Sequence, residues 1–247
     1  MSMLDEHDFI EEPSVAVENS YYYGDHTFRT HRGTLRDSKP AELFRYCVLK
    51  RCLDLLFVLV SLPVLLPLLM MIALAVKCSS PGPVFFSHRR IRKSGAFFSM
   101  WKFRTMCVNS TEVLDAHLRA NPGARAEWSA TRKLRFDPRI SPIGRLLRRF
   151  SLDELPQVWN VIAGTMSLVG PRPIVAAEVE KYGDSFQCYC RVKPGLTGLW
   201  QVSGRSELSY DTRIALDCRY VQRWSLTRDL IILTKTFSAV INQDGAF

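Results

Sequence analysis

The chain lacks the marks of several common classes. Its seven cysteines are odd in number and show no repeated zinc-type spacing, so reduced thiols in a cytoplasmic setting are expected rather than a disulfide framework. Cys188 and Cys190 form a lone C-x-C with no second half to complete a metal site. Residues 1–19 are acidic and carry no apolar core, so no cleavable signal is expected there. No recognisable nucleic-acid motif occurs. Acidic residues are in deficit: 24 Asp and Glu against 33 Lys and Arg give a net charge of +9 and a pI near 9.4. Such a balance calls for an anionic partner, whether nucleic acid, acidic lipid or a phosphorylated substrate.

Charge is missing altogether from residues 55–76. That run is about as long as a transmembrane helix needs. Pro63 and Pro67 lie inside it, and each removes a backbone donor and clashes with the preceding turn. Both flanks are basic, with Arg45, Lys50 and Arg51 before and Lys77, Arg89, Arg90, Arg92 and Lys93 after, which places both ends on the cytoplasmic face. A bent helix that enters and leaves by one leaflet satisfies these facts; a kinked single span remains open at this level.

What the chain does contain falls into blocks. Residues 1–40 are polar without a sustained period and read as a flexible tail. Residues 41–78 form an amphipathic lead-in and the membrane helix, and residues 79–247 the remaining domain. Within that domain, residues 84–86 and 97–101 read as strands around a basic loop at 88–95. Extended chain through Lys102-Phe103-Arg104-Thr105-Met106 would put Lys102 and Arg104 on one face, which suits a phosphate and equally a solvated rim. Residues 112–133 read as a helical hairpin broken at Asn121-Pro122-Gly123, and residues 143–150 as a basic amphipathic helix fit for a headgroup boundary. An apolar-rich helix is expected over 227–241.

The densest chemistry lies in Ser151-Leu152-Asp153-Glu154-Leu155-Pro156-Gln157. Adjacent carboxylates repel, so a site that keeps both supplies cations to hold them. The plainer reading is a helix start with Ser151 as N-cap. Further on, Gly170-Pro171-Arg172-Pro173 stiffens the point from which a guanidinium projects, and a guanidinium there can grip phosphate bidentately. The run from Arg191 to Arg205 combines Gly195, Gly198 and Gly204 with Trp200 and Gln201, and can let a nucleotide approach the backbone closely.

Together these motifs resemble the bacterial sugar transferase family, the monotopic phosphoglycosyl transferases, over roughly four-fifths of the chain. The likeness rests on Lys50-Arg51 with Asp54, the proline-broken apolar helix, the segments at 102–106, 151–157 and 170–173, and Pro194-Gly195-Leu196-Thr197-Gly198. It is nearest to the short exopolysaccharide galactosyl- or glucosyl-phosphate transferases. The resemblance implies an α+β fold: a mostly helical cytosolic catalytic domain with a small β-sheet, a re-entrant membrane helix broken at Pro67, and interfacial amphipathic helices. It implies transfer of a hexose 1-phosphate from a UDP-sugar, galactose or glucose leading, to polyprenyl phosphate with release of UMP at the cytoplasmic face of the inner membrane.

On that likeness Asp153 is the nucleophile, Asp153 and Glu154 hold Mg²⁺, and Lys102 completes the catalytic set. Arg148, Arg172 and Arg104 are expected on phosphate, and Arg191, Gln201 and Arg205 near the nucleotide. Inner-membrane lipid is an implied partner, nucleic acid is not, and self-association stays open. The chain departs from the family pattern at Leu66, where a serine usually precedes the proline, and at Arg92, where a glycine is common. The competing class is a membrane-anchored basic binding or scaffold protein without catalysis, for which the two acids only start a helix. Steep salt dependence and indifference to UDP-sugars would mark it.

Overall fold

The structure, a computed structural model, describes residues 40–131, 133–204 and 208–241. The tail expected over residues 1–40 lies outside them except for Pro40. Helix α1 (Pro40–Ser79) is a single element that contains both Pro63 and Pro67. The break expected at Pro67 therefore does not divide the segment into two helices. Each proline still removes the usual donor to the carbonyl four residues back, those of Leu59 and Pro63. From Tyr46 to Ser79 the helix is long and apolar enough to cross a membrane by length and composition.

Only one stripe of α1 is covered. Asp54, Val58, Leu69, Ile72 and Val76 are buried, with Leu62, Leu65 and Leu68 packed beside them. These positions recur at helical spacing over about 33 Å of helix. The rest, including Leu59, Val60, Val64, Met70, Met71 and Leu74, is exposed. An apolar surface of that extent marks a membrane or interaction face.

Polar side chains fix the first half of α1 to the domain. Lys50 Nζ lies 2.6 Å from Asp229 Oδ2. Asp54 accepts from Ser167 Oγ at 2.8 Å and from the Leu168 N–H at 3.2 Å. Arg51 donates to the Val161 and Ile162 carbonyls at the end of a short helix, where unsatisfied carbonyls favour a cation. The Lys50, Arg51 and Asp54 cluster thus holds α1 in place.

Strands β1 (Phe85–Ile91) and β2 (Phe97–Phe103) form an antiparallel hairpin in register from Phe85↔Phe103 to Ile91↔Phe97. The basic loop expected at 88–95 is shorter, because His88, Arg89 and Arg90 lie within β1. Ser94 (φ 69°) and Gly95 (φ 79°) make the turn. Arg92 sits at φ −107°, a conformation open to any residue, so its substitution for glycine leaves the backbone path unchanged.

Helices α2 (Ser110–Ala120) and α3 (Pro122–Thr131) are the expected hairpin. Helix α4 (Pro142–Arg149) starts with Ser141 accepting from the Gly144 N–H and Pro142 in its first turn, a favourable beginning. Gly144 meets the Thr105 carbonyl, where a Cβ would lie 2.1 Å from the oxygen, so α4 rests directly on the chain leaving β2. After α5 (Val158–Ile162) comes β3 (Ser167–Val169), paired in parallel with β4 (Gly195–Thr197). The small β-structure expected is thus present, as two two-stranded sheets among the described residues.

The glycines of the 170–198 region serve this pairing. A Cβ on Gly195 would lie 2.1 Å from Gly170 N, and one on Gly198 would lie 2.2 Å from Gly170 O. The absence of a Cβ at Gly195 and Gly198 is thus already required by backbone-to-backbone approach. Short helices α6 (Val179–Tyr182) and α7 (Ser185–Tyr189) lead to β4, and α8 (Tyr210–Gln222) and α9 (Leu226–Ile241) close the fold.

Candidate active site

Between α4 and α5, residues Leu152–Gln157 form a 3₁₀ turn. Ser151 takes a left-handed conformation (φ 55°) and makes no capping bond, so the expected N-cap gives way to a sharp turn that ends α4. A non-glycine residue at positive φ is strained, and such strain gathers where a site needs a fixed direction. Leu152 and Leu155 pack against the cluster that includes Leu69, Ile72 and Val76 of α1. The two acids between these leucines are thereby held on the side of the domain that carries α1.

Asp153 and Glu154 converge on one ammonium. Lys102 Nζ, at the end of β2, lies 2.6 Å from Glu154 Oε1 and 3.6 Å from Asp153 Oδ2. Asp153 is buried, and burial pushes its carboxyl above the usual range; Lys102 and Arg148 pull it down, while Glu154 pushes it up. Arg148 donates from Nε to Thr105 Oγ1 at 2.9 Å. Burial lowers its pKa, and the Asp153 charge opposes that shift.

Beside this triad opens a cleft of about 700 Å³. Among the described residues Arg90, Lys102, Lys133, Arg148, Arg172 and Arg213 line it, against the single carboxylate of Glu154. Asp153 lies behind that lining, touching it through Lys102. The Arg172 and Arg213 guanidinium carbons lie 5.6 and 5.2 Å from the centre of the Trp200 ring, within cation–π range. Arg90 donates to the Pro173 carbonyl at 3.2 Å and faces Glu178 at 3.8 Å; burial, then Arg172, lowers its pKa. So dense a set of forked donors can hold several phosphate oxygens at once.

The expected residues divide accordingly. Lys102, Arg148, Glu154, Arg172 and Gln201 line the cleft, with Asp153 at its wall. Arg104 does not: it is buried and donates to the Pro81 carbonyl at 2.5 Å and the Ser80 carbonyl at 2.8 Å, tying down the turn after α1. β2 ends at Phe103, so the alternation that would align Arg104 with Lys102 stops between them. Arg191 is exposed and outside the lining. Arg205 lies outside the described residues. Arg90, Lys133 and Arg213 were not singled out as site residues from sequence. The first was taken as loop and flanking charge, the second as part of a surface hairpin, and the third lies on an ordinary helix.

Among the described residues no group of three or more Asp, Glu, His or Cys is gathered for a metal. Two neighbouring carboxylates suit a hard cation such as Mg²⁺ that takes the rest of its shell from water and substrate phosphate, so the donor set fits.

The pattern that defines the bacterial sugar transferases matches residues 45–243, which include all of α1 but its first five residues and every described residue of the cleft. The chain belongs to the bacterial sugar transferase family. Among individual relatives, this transferase is 48% identical to the exopolysaccharide production protein ExoY of Sinorhizobium fredii, over 80% of its own length and 88% of that protein. It is 48% identical to the undecaprenyl-phosphate galactose phosphotransferase of Salmonella typhimurium, over 81% of this chain and 42% of the longer relative. The UDP-glucose:undecaprenyl-phosphate glucose-1-phosphate transferase of Escherichia coli is 37% identical, over 79% and 41%. The transferase thus spans most of the short relative and about two-fifths of the long ones.

Proposed function

We propose that the cleft transfers a hexose 1-phosphate from a UDP-sugar to undecaprenyl phosphate in two displacements, as the first membrane step of exopolysaccharide synthesis. The observation that carries this reading is the convergence of Asp153 and Glu154 on Lys102 at the wall of an arginine-lined cleft. In the first displacement an Asp153 carboxylate oxygen attacks the β-phosphorus of the UDP-sugar. The bond from that phosphorus to the bridging oxygen breaks, and UMP leaves with the bond's electron pair. In the second, a phosphate oxygen of the acceptor attacks the same phosphorus, the bond to Asp153 breaks, and the carboxylate is restored. Splitting the transfer this way is covalent catalysis and gives ping-pong kinetics.

Each cation has a place in that scheme. Lys102 favours the ionised form of Asp153 against its burial and is the nearest donor to charge developing on the transferred phosphoryl group. Arg148, Arg172, Arg90 and Arg213 hold the diphosphate oxygens, and Trp200 with Gln201 faces the nucleoside. Asp153 and Glu154 would hold Mg²⁺, which supplies charge neutralisation on the diphosphate. Galactose is the favoured sugar, because identity to the galactose phosphotransferase exceeds that to the glucose transferase.

The placement is monotopic on the cytoplasmic face of the inner membrane. Helix α1 rests on the domain along one stripe from Asp54 to Val76, so neither end can reach the far leaflet without that domain. Its exposed face, and that of α5 at Trp159 and Ile162, meets lipid.

Two measurements test the reading. Purified protein in nanodiscs free of polyprenyl phosphate should exchange labelled UMP into UDP-galactose; exchange that needs polyprenyl phosphate would exclude the two-step route. Lys102→Met should also move the acid limb of the rate profile to higher pH. Burial already raises the Asp153 pKa and Lys102 offsets it, so losing the ammonium raises it further. A limb that stays in place would remove Lys102 from that role.

A further inference from the structure

Part of the cleft lining has no charge to offer a nucleotide. Leu152 and Leu155 of the 3₁₀ turn, Leu168 of β3, Leu196 of β4, and Leu233 and Phe237 of α9 line it as an apolar set beside the arginines. Resting on the function proposed above, we propose that this apolar set takes the isoprenoid chain of the lipid acceptor. The chain enters beside α9 with Phe237 at the mouth, and its phosphate lies against Lys102 and Arg148.

Three observations carry the assignment. The cleft is amphiphilic in the sense of a lipid phosphate: its lining combines cations with apolar side chains, whereas hexose, ribose and diphosphate are polar throughout. The apolar set is also continuous with the membrane-facing helix. Leu168 and Leu233 line a second, small pocket together with Leu53 and Phe57 of α1 and Leu230 of α9. Leu152 and Leu155 join the α1 cluster from the other side.

Finally, α9 is fixed in position yet apolar outward. Thr236 Oγ1 lies 2.7 Å from Thr197 Oγ1 and holds the helix to β4. Phe237, one residue on, is 76% exposed, and Leu230 and Ile231 on the same helix are exposed too. A large aromatic kept at the lip of a charged cleft is poorly explained by packing, since it packs little. Contact with a lipid chain explains both its exposure and its place.

The test compares acceptors of two lengths, undecaprenyl phosphate and a two-isoprene prenyl phosphate, with the full chain in nanodiscs. Phe237→Asp is expected to lower kcat/KM for the long acceptor about tenfold or more and for the short one by less than about twofold. Ile231→Asp, which changes an exposed residue of α9 that lines neither cavity, should leave the ratio between the acceptors unchanged. Equal losses on both acceptors, or none, would overturn the proposal. So would failure of Phe237→Asp protein to float with liposomes, which would make the residue a membrane anchor only. Absence of acceptor-free UMP exchange in the unaltered protein strikes the two-step reading instead, while the chain-length contrast still reports on the lipid route.

Discussion

Asp153→Asn is expected to abolish both UMP exchange and product formation, lowering the rate at least about 10³-fold. The carboxamide has nearly the shape of the carboxylate, so the buried position between Leu152 and Glu154 is still filled. What it lacks is a nucleophilic oxygen. Lys102 keeps its 2.6 Å partner in Glu154, so the ammonium is not stranded and the local fold has little reason to change. Incubation with UDP-sugar labelled in the β-phosphate should leave label on the unaltered protein and none on the variant. Glu154→Gln provides the contrast, because Glu154 neither forms nor breaks a covalent bond in the scheme. It should weaken turnover and still trap label. Near-normal turnover by Asp153→Asn would return the two acids to a structural role.

Much of this site was legible because its residues come in short stretches whose local chemistry is unusual. Two adjacent acids between leucines, and an arginine between prolines, stand out before any fold is known. The structure sets Lys102, Arg148, Arg172 and Gln201 on one cleft with Glu154, and Asp153 just behind its lining. Arg90 and Arg213 escaped because a basic residue on a strand or helix already has an ordinary explanation. Their shared cleft depends on β1, the 170–173 segment and α8 meeting in space. Arg104 was placed with Lys102 by strand alternation, but the strand ends one residue earlier. The glycine-rich run was harder still: sequence shows that a Cβ is unwelcome, not whether ligand or backbone occupies the space. Here the backbone of Gly170 does.

The membrane helix shows the same division. Its apolarity and prolines were plain, and so was the presence of Lys50, Arg51 and Asp54 near its start. Their partners were not, because they lie more than a hundred residues away along the chain. Once paired, these side chains explain how an apolar helix is held at a set height beside a charged cleft. Hydrophobic contact alone would permit sliding, whereas buried ionic and hydrogen-bonded pairs require a register.

That register gives the largest expected effect on stability. Asp229→Ala should destabilise the protein by about 3–5 kcal/mol, because it leaves the Lys50 ammonium in a mostly buried place without its counter-ion. Tyr46, which donates to the same carboxylate at 3.2 Å, loses that acceptor as well. Tyr220 is less affected, since its hydroxyl lies 2.8 Å from Asp229 Oδ1 but also 3.1 Å from the Val169 carbonyl. For a domain of this size the loss corresponds to a fall in melting temperature of about 10 °C, read by thermal unfolding in detergent. The double variant Lys50→Met, Asp229→Leu separates pairing from packing. With both charges gone no ammonium is left without its counter-ion, and if that pairing is what matters stability should return to within about 1 kcal/mol of the starting protein. A double variant as unstable as Asp229→Ala would show that the position needs the carboxylate for the two tyrosines rather than for Lys50.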